Sequence, residues 1–264
     1  MVTRLLYRDG LMLVVDKPAG IAVHKGPKGG QSLEDFFHAL RFGLPRPPAL
    51  AHRLDRDTSG CLVLGRHRKA LATLGRLFKA GRVGKTYWAV VQGGPAEEEG
   101  RIELPLGRMD ESRGWWMKPD PHGLPSTTLW KVLGRAAYCT WLALEPLTGR
   151  THQLRVHCAA MGWPVVGDAI YGSRAASARS RAAGAPAGMG EILHPEAKDD
   201  DPLHLHARTV VVPLYKNRAA VAVEAPVPAH MHARLAACGW LKHDPEKCAA
   251  VFGKDHAQTR TGAG

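Results

Sequence analysis

The sequence predicts an α+β fold, and three observations carry that prediction. Short apolar runs bounded by Gly, Pro or charged residues recur through most of the chain. Helical periodicity is confined to three segments. With 264 residues, 45% of them hydrophobic, the chain can bury a substantial core as one large domain or two small ones. Many strands with few helices favour α+β.

Each predicted strand is a run rich in Leu, Val, Ile, Tyr or Trp that ends at a turn signal. Asp9-Gly10 separates the first two runs as a hairpin turn would, and the YWAVV run beginning at Tyr87 has core-strand composition. Strands are predicted at residues 5–7, 11–15, 61–64, 87–91, 101–104, 126–133, 138–144, 203–213 and 219–223.

Three helices are predicted between these strands. Ser32 with Asp35 three residues later resembles a capping box before residues 33–40. The second helix has a stripe of apolar residues at helical spacing and a basic remainder. Its apolar members are Leu71, Leu74, Leu77 and Phe78, and its basic members are Arg68, Lys69, Arg76 and Lys79.

The third helix follows the turn Thr148-Gly149-Arg150-Thr151. Leu154, Cys158 and Met161 share one face before Gly162, while His152 and Arg155 share a separate polar stripe.

A single domain is expected over residues 1–245. Within it, residues 173–201 begin with an Ala, Arg, Ser and Gly tract that has almost nothing to bury, which predicts a flexible insertion. Residues 246–264 are predicted to form a polar C-terminal tail.

Composition indicates a polyanionic partner. Lys and Arg total 36 against 24 Asp and Glu, giving a net charge of +12, so nucleic acid is the expected partner and anionic lipid the rival. No long apolar segment or signal peptide is present, which predicts a cytoplasmic protein that does not span a membrane. The five cysteines are odd in number and contain no CxxC pair, so we expect reduced thiols.

The stretch AHRLDRDTSG at residues 51–60 raises the first functional question, because Asp55 lies between two arginines. Neighbouring guanidinium groups favour the ionised form of a carboxylate, which suits a surface ion pair or a positioned nucleophile. The apolar strand that follows would anchor this loop to the core. A second turn with cations, GRTHQLR at residues 149–155, has the same design, and two such elements indicate a site.

Other chemistries find little support. Kinases place the Asp directly after His-Arg and need a Gly-rich loop and Asp-Phe-Gly, all of which the sequence lacks. His152 and His157 would lie on different helix faces, and His204 and His206 fit an ordinary strand, so no metal site is expected. No GxGxxG or Walker A motif indicates a nucleotide cofactor.

Several segments, in order, resemble the RluA-type pseudouridine synthases. HRLDRDTSG at residues 52–60, GKTYWAVV at 84–91 and GRTHQLRVHCAAMGWPVVGDAIYG at 149–172 resemble the three signature segments of that family. VDKPAGIAVHKG at residues 15–26 and PLHLHA at 202–207 extend the likeness over most of residues 5–225.

The resemblance implies an isomerase that converts uridine in tRNA or rRNA to pseudouridine without a cofactor. It implies a mixed, largely antiparallel, bisected sheet flanked by helices and loops. Asp55 would be the catalytic aspartate, acting either as a nucleophile at C1′ or by removing the C2′ proton to give a glycal. Tyr87 would pack on the extruded base and assist proton removal at C5, and Arg155 would pair with the aspartate.

RNA binding would come from cations that flank the signature segments, since phosphate contacts can offset the cost of flipping a base. The residues expected to bind RNA are Arg53, Arg56, Arg66, Arg68, Lys69 and Arg150, with Arg53 filling the stack that the base leaves. Arg174, Arg179 and Arg181 of the insertion would form either an RNA-contacting arm or part of a neutral spacer.

Many relatives carry an S4-like domain ahead of the catalytic domain, whereas here the first strand begins within ten residues, so recognition is expected from the catalytic domain itself. A monomer is expected. The rival functions are an inactive RNA-binding module of the same fold and a metal-dependent hydrolase that uses Asp55.

Overall fold

The computed structural model describes residues 1–26, 29–109, 116–172 and 201–241. The proposed insertion, with its three arginines, and the proposed C-terminal tail lie outside these residues, apart from Asp201. The described strands are β1 Leu5–Arg8, β2 Met12–Lys17, β3 Ala49–Leu50, β4 Ser59–Gly65, β5 Gly84–Gln92, β6 Glu99–Glu103, β7 Leu106–Arg108, β8 Met117–Pro119, β9 Thr127–Arg135, β10 Cys139–Pro146, β11 Leu205–Val212 and β12 Val221–Glu224. The helices are α1 Arg68–Lys79, α2 Gln153–Ala160 and α3 His232–Ala237, and 3₁₀ segments span Val2–Arg4, Leu33–Leu40 and Ala229–Met231.

Ten of these strands form one mixed, largely antiparallel sheet, so the α+β prediction is confirmed. The strand order is β1-β2-β4-β11-β5-β10-β9-β6, with β3 beside β4 and β12 beside β11. The pairing of β4 with β11 is parallel and involves only the residue pairs Ser59–His206 and Gly60–Ala207. This short contact divides the sheet into two parts, as a bisected sheet requires.

Gly60 allows the two halves to meet so closely. Its φ of +105° is one that L side chains rarely adopt, and a Cβ there would lie 2.3 Å from the carbonyl oxygen of Ala207. The close backbone approach at the centre of the sheet therefore requires glycine.

Separate hydrophobic clusters cover the two halves. One cluster packs β2 and β4 against α1 through Leu74 and Leu77, while the exposed face of α1 carries its cations as predicted. A second packs β5, β10 and β11 against α2 through Leu154 and Cys158. Tyr87, on β5, contacts this second cluster and also the cluster around Leu54.

Local differences from the sequence-based expectations are instructive. Residues 33–40 form a 3₁₀ helix, and it begins at the expected capping box, in which the Asp35 carboxylate accepts from the Ser32 backbone N–H at 3.0 Å. Helix α3 and strands β3, β7 and β8 were not expected, because elements of two to six residues give too short a pattern to detect. No helix in the described part of the chain is long and apolar enough to cross a membrane.

Candidate active site

The Asp55 loop is fastened to the end of β2. The buried Lys17 ammonium donates to the carbonyl oxygens of Arg56 at 2.7 Å and Pro18 at 2.8 Å. The Arg56 carbonyl also accepts a hydrogen bond from the Gly20 backbone N–H, and the Nε of Arg56 donates one to the Gly20 carbonyl, both at 3.0 Å. Leu54 is buried in the core, so the neighbouring Asp55 is positioned from both sides. Its side chain remains 22% exposed.

Asp55 faces two groups from the beginning of α2. Its Oδ2 lies 3.7 Å from Nη1 of Arg155 and 3.8 Å from Nε2 of His152. The structure therefore brings Asp55 together with the arginine that the sequence predicted as its partner.

Arg155 is held much more tightly by a second carboxylate, Asp168. Its Nε and Nη2 donate to the two oxygens of Asp168, each at 2.7 Å, and both side chains are buried. Asp168 Oδ1 also accepts from the backbone N–H groups of Ile170 and Tyr171. Burial alone would raise the pKa of Asp168, but the Arg155 guanidinium and these backbone donors hold that pKa below its ordinary value. Arg155 is thus fixed before any ligand arrives.

His152 has an unusual backbone and a defined partner. It precedes α2 with a left-handed φ of 52°, and its Nδ1 lies 2.8 Å from the hydroxyl of Tyr171, which accepts from the Met117 backbone N–H at 2.9 Å. Burial lowers the pKa of His152, although the Asp55 carboxylate opposes this shift. His152 is therefore neutral at neutral pH.

Gln153 fixes the turn that leads into α2. Its side-chain oxygen accepts from the Thr148 hydroxyl at 2.8 Å and the Arg150 backbone N–H at 3.0 Å. Its amide nitrogen donates to the carbonyl of Thr127 and the hydroxyl of Thr128 on β9. The second basic element is consequently anchored to the sheet.

Tyr87 lines the same cleft from β5, next to the junction of the two half-sheets. Burial raises the pKa of its phenol, and the Asp55 carboxylate adds to the effect, so the side chain is a neutral phenol. Asp55, Tyr87 and Arg155 thus share one cleft of about 420 Å³.

The cations predicted to bind RNA separate into two groups. Arg53 and Arg150 line the cleft, and the exposed Arg56 lies in the same loop as Asp55. Arg66 follows the far end of β4, where its guanidinium donates to the carbonyls of Asp9, Arg41 and Phe42. Arg68 and Lys69 are exposed at the adjoining end of α1. All six stay predictions as RNA-binding residues, and the last three lie at the end of β4 that is remote from Asp55.

Sequence reasoning missed several groups at this site. Lys79, at the other end of α1, and Lys85, at the start of β5, line the cleft. Asp168 and Tyr171 lie within the third signature segment, so its closing GDAIYG was a usable signal. Within residues 1–26, 29–109, 116–172 and 201–241, no group of three His, Cys, Asp or Glu could hold a metal ion.

Comparison with known proteins places this geometry in context. Residues 11–160 match the family model described as RNA pseudouridylate synthase. An uncharacterized RNA pseudouridine synthase of Zymomonas mobilis is 43% identical over 175 residues, which cover 66% of this chain and 80% of that protein. The ribosomal large subunit pseudouridine synthase C of Vibrio cholerae is 38% identical over 175 residues, covering 64% of this chain and 53% of that protein. The solved structure of human RNA pseudouridylate synthase domain containing 1 matches with a TM-score of 0.64 and 29% identity, covering 98% of this chain and 94% of that one.

Proposed function

Because the chain belongs to the RluA-type family of RNA pseudouridine synthases, which are isomerases that act on RNA, we propose that it isomerises a specific uridine in tRNA or rRNA with Asp55 as the catalytic aspartate. The observation that carries this proposal is the position of Asp55, which is partly exposed in the cleft and faces the immobilised Arg155 at 3.7 Å. The name of the Vibrio cholerae relative supports rRNA as the first substrate to test.

The reaction needs an ionised carboxylate that can reach a ribose. The N1–C1′ bond of uridine breaks and a C5–C1′ bond forms, while a proton leaves C5 and N1 gains one, so product and substrate are isomers. Asp55 either attacks C1′ and is later released, or takes the C2′ proton and later returns it. In both routes the Arg155 cation, 3.7 Å away, attracts the Asp55 carboxylate before the substrate binds.

Tyr87 is proposed to pack on the extruded uracil. A phenol whose pKa is raised by burial stays protonated at neutral pH and offers almost no phenolate to act as a base, which favours this packing role over direct proton removal at C5. Arg53, exposed at the cleft, is proposed to fill the stack that the uridine leaves, and Arg150 to contact phosphate.

Pseudouridine mapping tests the proposal directly. Total tRNA and rRNA are mapped by carbodiimide modification and primer extension in cells that have the wild-type protein, lack it, or carry Asp55→Asn, which keeps the shape of the side chain. We expect one discrete site to disappear in both the deletion and the variant, which would also identify the substrate.

A different result would favour the inactive RNA-binding module. If every pseudouridine persists without Asp55 while purified protein still binds RNA, the catalytic proposal is wrong. Cytoplasmic location and a monomeric state stay predictions, which fractionation and light scattering would test.

A further inference from the structure

We propose that His152 is a positioning residue that steadies Asp55 through an Nε2–H group, and that Tyr171 fixes the tautomer that places the proton there. This inference rests on the proposed function and adds two residues to it. Three contacts in series carry it: Met117 N–H to Tyr171, Tyr171 to His152 Nδ1, and His152 Nε2 towards Asp55.

The Tyr171 hydroxyl has one donor and one acceptor beside it. It accepts a hydrogen bond from the backbone N–H of Met117 at 2.9 Å, and Tyr171 as a residue is 6% exposed. Its own proton needs an acceptor in this buried setting, and Nδ1 of His152 lies 2.8 Å away. When the hydroxyl donates to Nδ1, a neutral imidazole carries its only proton on Nε2.

The Asp55 carboxylate lies on the other side of the His152 ring. Nε2 lies 3.8 Å from Oδ2 of Asp55, on the oxygen that Arg155 also approaches. The opposite tautomer would direct a nitrogen lone pair at an anion, which is unfavourable. Donors therefore converge on Oδ2, and Oδ1 is left as the oxygen that we assign to meet the ribose. Contacts of this length commonly shorten when substrate closes a site.

The backbone of His152 is strained. His152 is one of two described non-glycine residues with positive φ. Backbone strain of this kind persists where the surrounding structure enforces it and is concentrated at active sites. Here it lets α2 begin directly after a residue whose side chain reaches both Tyr171 and Asp55.

Kinetics of a double-mutant cycle test the chain of contacts. His152→Met keeps length but removes the donor, and it should lower kcat roughly 10- to 100-fold, the effect expected for a hydrogen bond to a charged group, with KM for RNA nearly unchanged. His152→Gln retains an N–H and should recover much of that loss. Tyr171→Phe keeps the ring beside Arg155 but removes the hydroxyl. This substitution should lower kcat when made in the wild-type protein, and should cause no further loss when made in the His152→Met variant.

The tautomer can be measured without activity. Proton–nitrogen NMR of the histidine-labelled wild-type protein should show His152 with hydrogen on Nε2, assigned from the signal lost in His152→Gln. A hydrogen on Nδ1, or additive effects of the His152 and Tyr171 substitutions, would overturn the proposal. Wild-type protein that shows the Nε2–H tautomer but isomerises no RNA would instead refute the proposed function, so the two failures are distinguishable.

Discussion

Replacing Asp168 by Asn should destabilise the protein far more than replacing Asp55 by Asn, although both carboxylates face Arg155. Asp168 makes two hydrogen bonds of 2.7 Å to the guanidinium from a fully buried side chain. Asp55 is 22% exposed, and its nearest contact with Arg155 is 3.7 Å long. The structure thus contains a tight pair and a loose pair on the same arginine.

The magnitude follows from the bonds that are lost. A hydrogen bond to a charged group contributes about 1.5–3 kcal/mol, and Asn can replace only one of the two carboxylate acceptors. Removing the countercharge leaves a buried cation, and breaking a buried pair in this way costs about 3–5 kcal/mol. Both routes lead to a loss of about 3 kcal/mol, equivalent to a fall in Tm of roughly 6–12 °C for a domain of this size. Asp55→Asn should change stability by under about 1 kcal/mol.

Urea denaturation of wild type, Asp168→Asn and Asp55→Asn measures the difference, and pseudouridine formation by the same preparations measures function. We expect Asp55→Asn to abolish activity with stability intact, and Asp168→Asn to lose both. Equal free energies of unfolding for the two variants would refute the assignment of Asp168 as the principal partner of Arg155.

Three further predictions concern the sheet junction, RNA binding and pH. Gly60→Ala should lower stability by more than about 1–3 kcal/mol, because the clash of the new Cβ with the Ala207 carbonyl oxygen adds to the backbone strain. Gly75→Ala, in open space on α1, should raise stability by about 1 kcal/mol, and thermal unfolding would contradict this if both changes had the same sign. Lys79→Ala, at the cleft, and Lys69→Ala, at the other end of α1, should each reduce the salt dependence of RNA affinity by about one phosphate contact. Filter binding in which Lys69→Ala matches the wild type would contradict the extension of the RNA surface along α1. Burial lowers the pKa of Lys17 from 10.5 to about 8, so the folded chain loses this proton at lower pH than the unfolded chain does. The stability of the wild type should therefore rise from about pH 8 to 10 relative to that of Lys17→Met, and parallel pH profiles of the two proteins would contradict this prediction.

The positions of the longer strands were predictable because most of those strands carry an apolar run of their own. The fully buried β4, for example, extends the expected 61–64 by two residues at one end and one at the other. Helix α2 shows the limit of such patterns. His152 and Arg155 were expected on a polar stripe, yet residues Gln153–Cys158 are all buried. Polar groups can be buried there because partners arrive from elsewhere, such as Thr128 and Ser126 for His157.

At the candidate site too, some features were predictable from local sequence and others depend on tertiary contacts. Asp55, Tyr87 and Arg155 were identified from their signature segments and lie in one cleft. The contact between Lys17 and the Arg56 carbonyl spans 39 residues of sequence, and no local pattern encodes it. Arg66 illustrates the converse, since a cation beside a signature loop is held by three backbone carbonyls. Burial and partnership are properties of the tertiary structure.

The contrast between the two carboxylates also explains how one arginine could serve the proposed catalytic aspartate. A carboxylate bound by two short, parallel hydrogen bonds has lone pairs engaged and is a poor nucleophile or base. Asp168 takes both of those bonds, so Arg155 is fixed in a low-dielectric setting without immobilising Asp55. The guanidinium then faces Asp55 from 3.7 Å and attracts its carboxylate by its charge. The arrangement orients Asp55 and leaves it available to a ribose, as either proposed route to pseudouridine requires.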